Sequence, residues 1–374
     1  MGRCSGSLGS IIKLKEKKMS EAAANPEYNP SGVGDCIDTN KLPWIPIPNA
    51  PGMSIKPARA SGESGIFSLI FKLDAGSSLP ASVYLGGMDM LILSGKAEYE
   101  QEGSKSILNP GTWGFVCANS RVNSFLAIEE TEVLANFYSG VAFLKEDGSL
   151  DSLLTALDVM QMAKDNKIIL VPNSLEACME IEGEQYNGNG APLAIASGNA
   201  GKLVNDDADI TKHSEVTHPH FVDTKQVPWL VLPGMEDVGL KILRVSQETG
   251  YVSLIVRHNG VADPHTHVGA SDFLVLQGQL GVRAGPPEGY GPGIWFYEPA
   301  GARHDATQRV TDEDLIYTAN LYGPVMFDSG PGTQIESLLS WVEYKGMAEA
   351  NGIKLVPSTR PDDSSLLAWA PLSS

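Results

Sequence analysis

A duplication constrains this chain more than any other feature. Asp38-Thr39-x-x-Leu42-Pro43-Trp44 returns as Asp223-Thr224-x-x-Val227-Pro228-Trp229, 185 residues on. At the same offset Asp151-Ser152-Leu153-Leu154-Thr155 returns as Glu336-Ser337-Leu338-Leu339-Ser340, and Ile169-Leu170-Val171-Pro172 as Lys354-Leu355-Val356-Pro357. Between these anchors Leu91-Ile92-Leu93-Ser94-Gly95 matches Leu274-Val275-Leu276-Gln277-Gly278, and Gly111-Thr112-Trp113 matches Gly293-Ile294-Trp295, with the small slips that loop insertions produce. Solenoid repeats run to about 20–50 residues, so a period this long means two duplicated domains. The expected division is a disordered tail over 1–37, one domain over 38–172, a linker over 173–214, a second domain over 215–357 and a tail over 358–374.

Inside each repeat the pattern is β. Short apolar runs such as 66–71, 253–256 and 273–276 are strand-sized and punctuated by Gly or Pro, which suggests a sandwich or barrel. Each repeat then predicts a closing helix, near 151–165 with Asp151 as N-cap and near 336–350. The acidic balance, 27 Lys and Arg against 45 Asp and Glu, disfavours nucleic acid and anionic membranes as partners. Four dispersed cysteines offer no disulfide framework or zinc ribbon, and no apolar run reaches membrane-spanning length. A cytoplasmic protein is expected.

All seven histidines lie between 213 and 304, and the first domain has none. His265-Thr266-His267 places two imidazoles on one face of a strand, where both can meet one ion. Pro299-Ala300-Gly301-Ala302-Arg303-His304 is a turn able to present a third from a neighbouring strand. Three neutral imidazoles suit a borderline divalent metal such as Fe, Mn, Ni, Cu or Zn. His218-Pro219-His220 is a second such pair, but Pro breaks strand regularity and it reads as linker. His258 reads as a turn residue, Arg257 and Arg303 as solvated, and Trp295, which recurs as Trp113, as core. The stretch 285–293 reads equally as a lid carrying Tyr290 or as a hairpin connection.

Pro264-His265-x-His267-x4-Asp272-x5-Gly278, followed by Gly293-x5-Pro299-x-Gly301-x2-His304, resembles the paired motifs of the cupins, and the duplication then looks like a bicupin. Val227-Pro228-Trp229-Leu230 and Tyr297-Glu298-Pro299-Ala300-Gly301 narrow the resemblance to the cupins grouped with 2,4′-dihydroxyacetophenone dioxygenase, acetylacetone-cleaving dioxygenase and ChrR-type anti-sigma factors. The resemblance implies an all-β fold of two jelly-roll barrels in tandem, each followed by a short helix. It implies His265, His267 and His304 as metal ligands, Asp272 as a candidate fourth, and Glu298 as a carboxylate that steers a ligand histidine or bound water. Ser82, Tyr84 and Val122 stand at the histidine positions of the first domain, which keeps Asp89 where the second has Asp272; that domain should be metal-free. The implied activity is dioxygenase cleavage of a C–C bond in a β-diketone or α-hydroxyketone, with Fe(II), a small-molecule substrate and O2, in a homodimer or higher homo-oligomer. The alternatives are another metal-dependent cupin enzyme, an isomerase or lyase, or a non-enzymatic zinc-binding sensor.

Overall fold

A computed structural model describes residues 36–101, 103–178, 184–197, 201–204, 215–232, 235–282, 285–304, 306–328 and 334–359. Most of the expected tail over 1–37, most of the one over 358–374 and parts of the 173–214 stretch lie outside the described residues, while Cys36 and Ile37, expected in the tail, belong to a strand. The two repeats form two antiparallel barrels, each followed by a helix, Ala156–Asp165 and Trp341–Ala350. One sheet of each barrel runs, among the described residues, through seven strands in matching order. In the first barrel the order is Phe221–Asp223, Thr112–Val116, Met88–Ser94, Thr131–Phe137, Phe67–Leu73, Met53–Ala60 and Ile45–Pro46. In the second it is Cys36–Asp38, Ile294–Glu298, Ser271–Gln277, Ile316–Leu321, Val252–His258, Met235–Val245 and Leu230–Leu232.

The outermost strand of each sheet comes from the other repeat. Cys36–Asp38 pairs with Ile294–Glu298 of the second barrel, and Phe221–Asp223 pairs with Thr112–Val116 of the first. The exchange explains the strongest repeated motifs. Thr39 Oγ1 donates to Gly293 O at 2.6 Å, and Thr224 Oγ1 donates to Gly111 O at 2.6 Å, so each Asp-Thr anchor is fastened to the Gly-x-Trp anchor of the opposite repeat. A fully buried lysine holds each carbonyl behind it. Lys56 Nζ donates to Thr39 O and sits 4.6 Å from the Trp44 ring centroid; Lys241 Nζ donates to Thr224 O and sits 4.7 Å from that of Trp229.

The packing across the exchanged strands is also reciprocal. Cys36 faces Phe296 in one sheet, whereas Phe221 faces Gly114 in the other. A Cβ on Gly114 would lie 2.1 Å from the Phe221 ring, so the large residue has changed sides and glycine makes room for it.

The outer faces of the two seven-stranded sheets bury one another. Leu243, Ile255, Leu274, Leu276, Trp295 and Ile316 of the second barrel belong to the same buried cluster as the interior of the first. At its centre Asp89 accepts from Asn136 and Tyr138 at 2.8 and 2.7 Å, while Asp272 accepts from Asn320 at 3.2 Å and from Tyr322. Asn320 Nδ2 also lies 3.4 Å from Asp89 Oδ1, which ties the two carboxylates across the domain boundary. Arg59 lies over the Tyr297 ring and Arg244 over the Phe115 ring, at 3.7 and 3.6 Å, each crossing to the other barrel.

Several local readings are corrected here. Leu150–Leu154 and Ile335–Leu339 are strands, and each helix starts after them. Thr155, not Asp151, is the first N-cap, closing a capping box with Asp158; Ser340 and Glu343 repeat it. Parts of the 173–214 stretch are held on the first repeat: Asn173 accepts from Arg59, Leu193 N–H donates to Asn40, and Ala194 N–H donates to Glu132. His218 and His220 are buried against the first barrel, where His220 Nδ1 lies 3.6 Å from Cys117 Sγ. Burial, then the neighbouring His220, lowers His218 to about 4, so it is neutral at pH 7. Tyr290 packs on Phe296, and its backbone bridges Leu280, which makes 285–293 a hairpin connection. Trp295 is fully buried.

Candidate metal centre

The strand His265–His267 pairs antiparallel with Arg303–His304, and His265 stands directly opposite His304. The turn that leads from the strand Ile294–Glu298 into Arg303–His304 is built by Pro299 and Gly301. Gly301 takes φ +83°, a left-handed conformation that glycine adopts without strain, and donates to His267 O at 2.7 Å. His267 N–H returns a bond to Ala302 O at 2.8 Å. These bonds fix the turn against the histidine strand. The His304 backbone is thereby placed, while its side chain lies outside what the structure describes.

Residues i and i+2 share a strand face, and the rings of His265 and His267 accordingly lie 5.0 Å apart. His265 Nδ1 sits 2.8 Å from Asp263 O. A proton donated there leaves the lone pair on Nε2, the tautomer a metal requires. Phe327 packs 5.1 Å from the same ring.

Glu298 enters from the facing sheet. Its Oε2 lies 2.8 Å from His267 Nε2 and accepts from Ser271 Oγ at 2.6 Å. Ser271 and Glu298 are cross-strand partners, so a hydroxyl and a carboxylate from adjacent strands meet an imidazole from the opposite sheet. Ser271 escaped the sequence reading because the adjacent Asp272 looked the better ligand. Consecutive strand residues point to opposite faces. Ser271 faces the histidines; Asp272 faces the domain boundary, where Asn320 and Tyr322 hold its oxygens. Burial first, and then the charge of Asp89, raise Asp272 to about 7. The structure thus gathers His265, His267 and Glu298, brings the His304 backbone alongside, and places Asp272 elsewhere.

The arginines also differ from expectation. Arg303 is part-buried and grips Asp328 with both amino groups, at 2.9 and 3.0 Å. Arg257 lies 4.9 Å from the Trp229 ring centroid. His258 ends the strand Val252–His258, is 1% exposed, and has Nδ1 3.3 Å from the Tyr317 hydroxyl.

In the first barrel the same register positions carry other chemistry. Ser82 pairs with Val122 as His265 pairs with His304, and Met88 pairs with Val116 as Ser271 pairs with Glu298. Tyr84, in place of His267, lies 6.1 Å from Phe137, which stacks on Phe67 at 4.5 Å.

The described donors fit a borderline divalent ion: two imidazoles on one strand face, one of them with its tautomer fixed, and a carboxylate beside them. Among the described residues no group of three or more His, Cys, Asp or Glu could hold a metal ion, and the His304 side chain is not among them.

The ChrR cupin-like domain family matches the chain twice, over residues 34–140 and 217–323. No curated protein matches it. Among solved structures, a provisionally identified acetylacetone dioxygenase from Methylibium petroleiphilum PM1 is 26% identical over 36% of this chain and 96% of its own, with a TM-score of 0.31. An acetylacetone dioxygenase from Acinetobacter johnsonii is 16% identical over 41% of this chain and 99% of its own, at 0.31. A manganese-containing oxalate decarboxylase from Bacillus subtilis is 14% identical over 81% of this chain and 79% of its own, at 0.46. No helix among the described residues is long and apolar enough to cross a membrane.

Proposed function

The chain belongs to the family of ChrR cupin-like domains, as a tandem pair, and on that premise we propose a metal-dependent dioxygenase that cleaves a C–C bond of a β-diketone or α-hydroxyketone with O2. His265, His267 and His304 hold the ion, which is iron(II). Bound there, the ion supplies Lewis acidity toward a chelating enolate and the redox chemistry that dioxygen needs. The observation that carries the reading is Glu298, a carboxylate held by Ser271 at 2.6 Å and placed 2.8 Å from His267 Nε2.

A diketone must lose a proton to chelate as its enolate. Glu298 is the base in position to accept it, since Ser271 fixes one of its oxygens on the inward face of the sheet. Asp263 O holds the proton of His265 on Nδ1, which keeps that ring oriented for metal binding. Phe327 covers the same ring and limits water around it.

Oxygen consumption with a small panel of diketones tests the reading. The iron-loaded protein should consume oxygen and release carboxylic acid. Glu298→Gln should retain metal and fold but lose about 100-fold in rate, the order expected when a general base is removed. Full activity in Glu298→Gln would remove the assigned role. Isomerisation or elimination without oxygen uptake would replace the dioxygenase reading by another metal-dependent chemistry.

A further inference from the structure

The two barrels differ in how completely their interiors are closed. In the second barrel Phe273, Glu298 and Tyr317 point inward from the seven-stranded sheet, and each keeps accessible surface. Phe273 and Tyr317 pack with the barrel's interior residues, among them Leu254, Val256 and Phe296. Their surface is therefore not that of an outer face. The equivalent register positions in the first barrel, Met90, Val116 and Val133, are 0–1% exposed. The second barrel leaves accessible surface at inward positions that the first buries.

One of these inward residues makes a polar contact away from the histidines. Tyr317 faces Val275, four residues along the strand from the Ser271 that anchors Glu298. Its hydroxyl lies 3.3 Å from Nδ1 of the buried His258. Its ring is 5.2 Å from Phe273, which stacks on Phe296 at 4.5 Å and 10°. Burial, then the negative charge of Glu298, raise the phenol well above its ordinary range, so the hydroxyl keeps its proton. A phenol carries one donor and two acceptor sites, and His258 engages one of these.

We propose that Tyr317, oriented by His258, is a specificity-determining residue: its hydroxyl binds a hydrogen-bonding group on the end of a planar substrate remote from the histidines, and Phe273 packs on that substrate's apolar body. The inference rests on the proposed function, because it takes the carbonyl end of the ligand to lie at His265, His267 and Glu298. A site that hydrogen-bonds a substrate group discriminates strongly against an analogue lacking it, since the buried partner is then left unpaired.

The test compares 1-phenylbutane-1,3-dione with its 4-hydroxyphenyl counterpart. Binding to the full-length, metal-loaded protein is measured by calorimetry without oxygen, so no turnover intervenes. The wild type should bind the hydroxylated compound about 10-fold more tightly. Tyr317→Phe should erase that preference while leaving the affinity for the phenyl compound unchanged, which also shows that the variant is folded. His258→Asn should reduce the preference without abolishing binding. Equal affinities in the wild type, or equal weakening of both compounds in Tyr317→Phe, would overturn the inference alone. Failure of the wild type to bind either compound would overturn the inference together with the functional reading beneath it.

Discussion

The two barrels share strand order and register, yet they fill their interiors in opposite ways. At one set of positions the second barrel carries His265, His267, Ser271 and Glu298, with His304 opposite His265; the first carries Ser82, Tyr84, Met88, Val116 and Val122. Behind them Val252 and Leu321 in the second barrel stand where Phe67 and Phe137 stack in the first. Two aromatic rings and a tyrosine fill the first barrel where the second has a smaller aliphatic pair. The first barrel buries mostly apolar side chains at the positions where the second carries histidines and a carboxylate, and buried apolar area of this kind is what stabilises a domain. It also supplies the second barrel with an edge strand and a supporting face. A duplicated domain of this kind keeps a mechanical role whatever side chains fill its interior.

The comparison is broken most forcefully in the first barrel's interior. Phe137→Ala should cost about 3–5 kcal/mol, because it opens a cavity among Phe67, Tyr84 and their neighbours. Leu321→Ala, beside the open interior of the second barrel, should cost nearer ~2 kcal/mol, the low end of its range. Urea unfolding of both variants measures the contrast, and a reversed order would show that the second barrel is the tighter of the two.

A smaller effect probes the exchanged strands. Gly114→Ala drives a Cβ toward the Phe221 ring and should destabilise by about 1–3 kcal/mol through overpacking. Its counterpart Phe296 already carries a large side chain, opposite the small Cys36. A neutral Gly114→Ala would mean that the two exchanged strands are not held equally.

The last contrast concerns the carboxylates between the barrels. Asp272 is raised to about 7 in the folded state from an ordinary value of 3.8. Between those limits the unfolded chain releases the proton and the folded chain keeps it, so stability falls as pH rises from about 4 to about 7. The slope from one such group is at most ~1.4 kcal/mol per pH unit. Asp272→Asn should flatten that part of the stability profile, and an unchanged slope would assign it to other groups.

Much of this was legible in the sequence, and the reasons are physical. The long period announced two domains, and the i, i+2 spacing of His265 and His267 announced a shared strand face. The exchange was not legible, since a three-residue strand such as Cys36–Asp38 finds its partner through tertiary packing. Its traces were nevertheless present: Asp-Thr and Gly-x-Trp recur together because each pair must meet across the boundary. The helix starts were misread because Asp151 is a good N-cap in isolation; the box of Thr155 and Asp158 is the stronger local signal. Ser271 and Tyr317 have no motif of their own, and only register reveals that both face inward.

The central claim is that one barrel of the pair holds the metal and the other has given that role up. Elemental analysis of the full chain, purified without added metal and then reconstituted with iron(II), tests it most directly when wild type and His265→Ala are compared. The account predicts one ion per wild-type chain and none in His265→Ala with the fold intact. Two ions per chain, or an ion retained without His265, would contradict it.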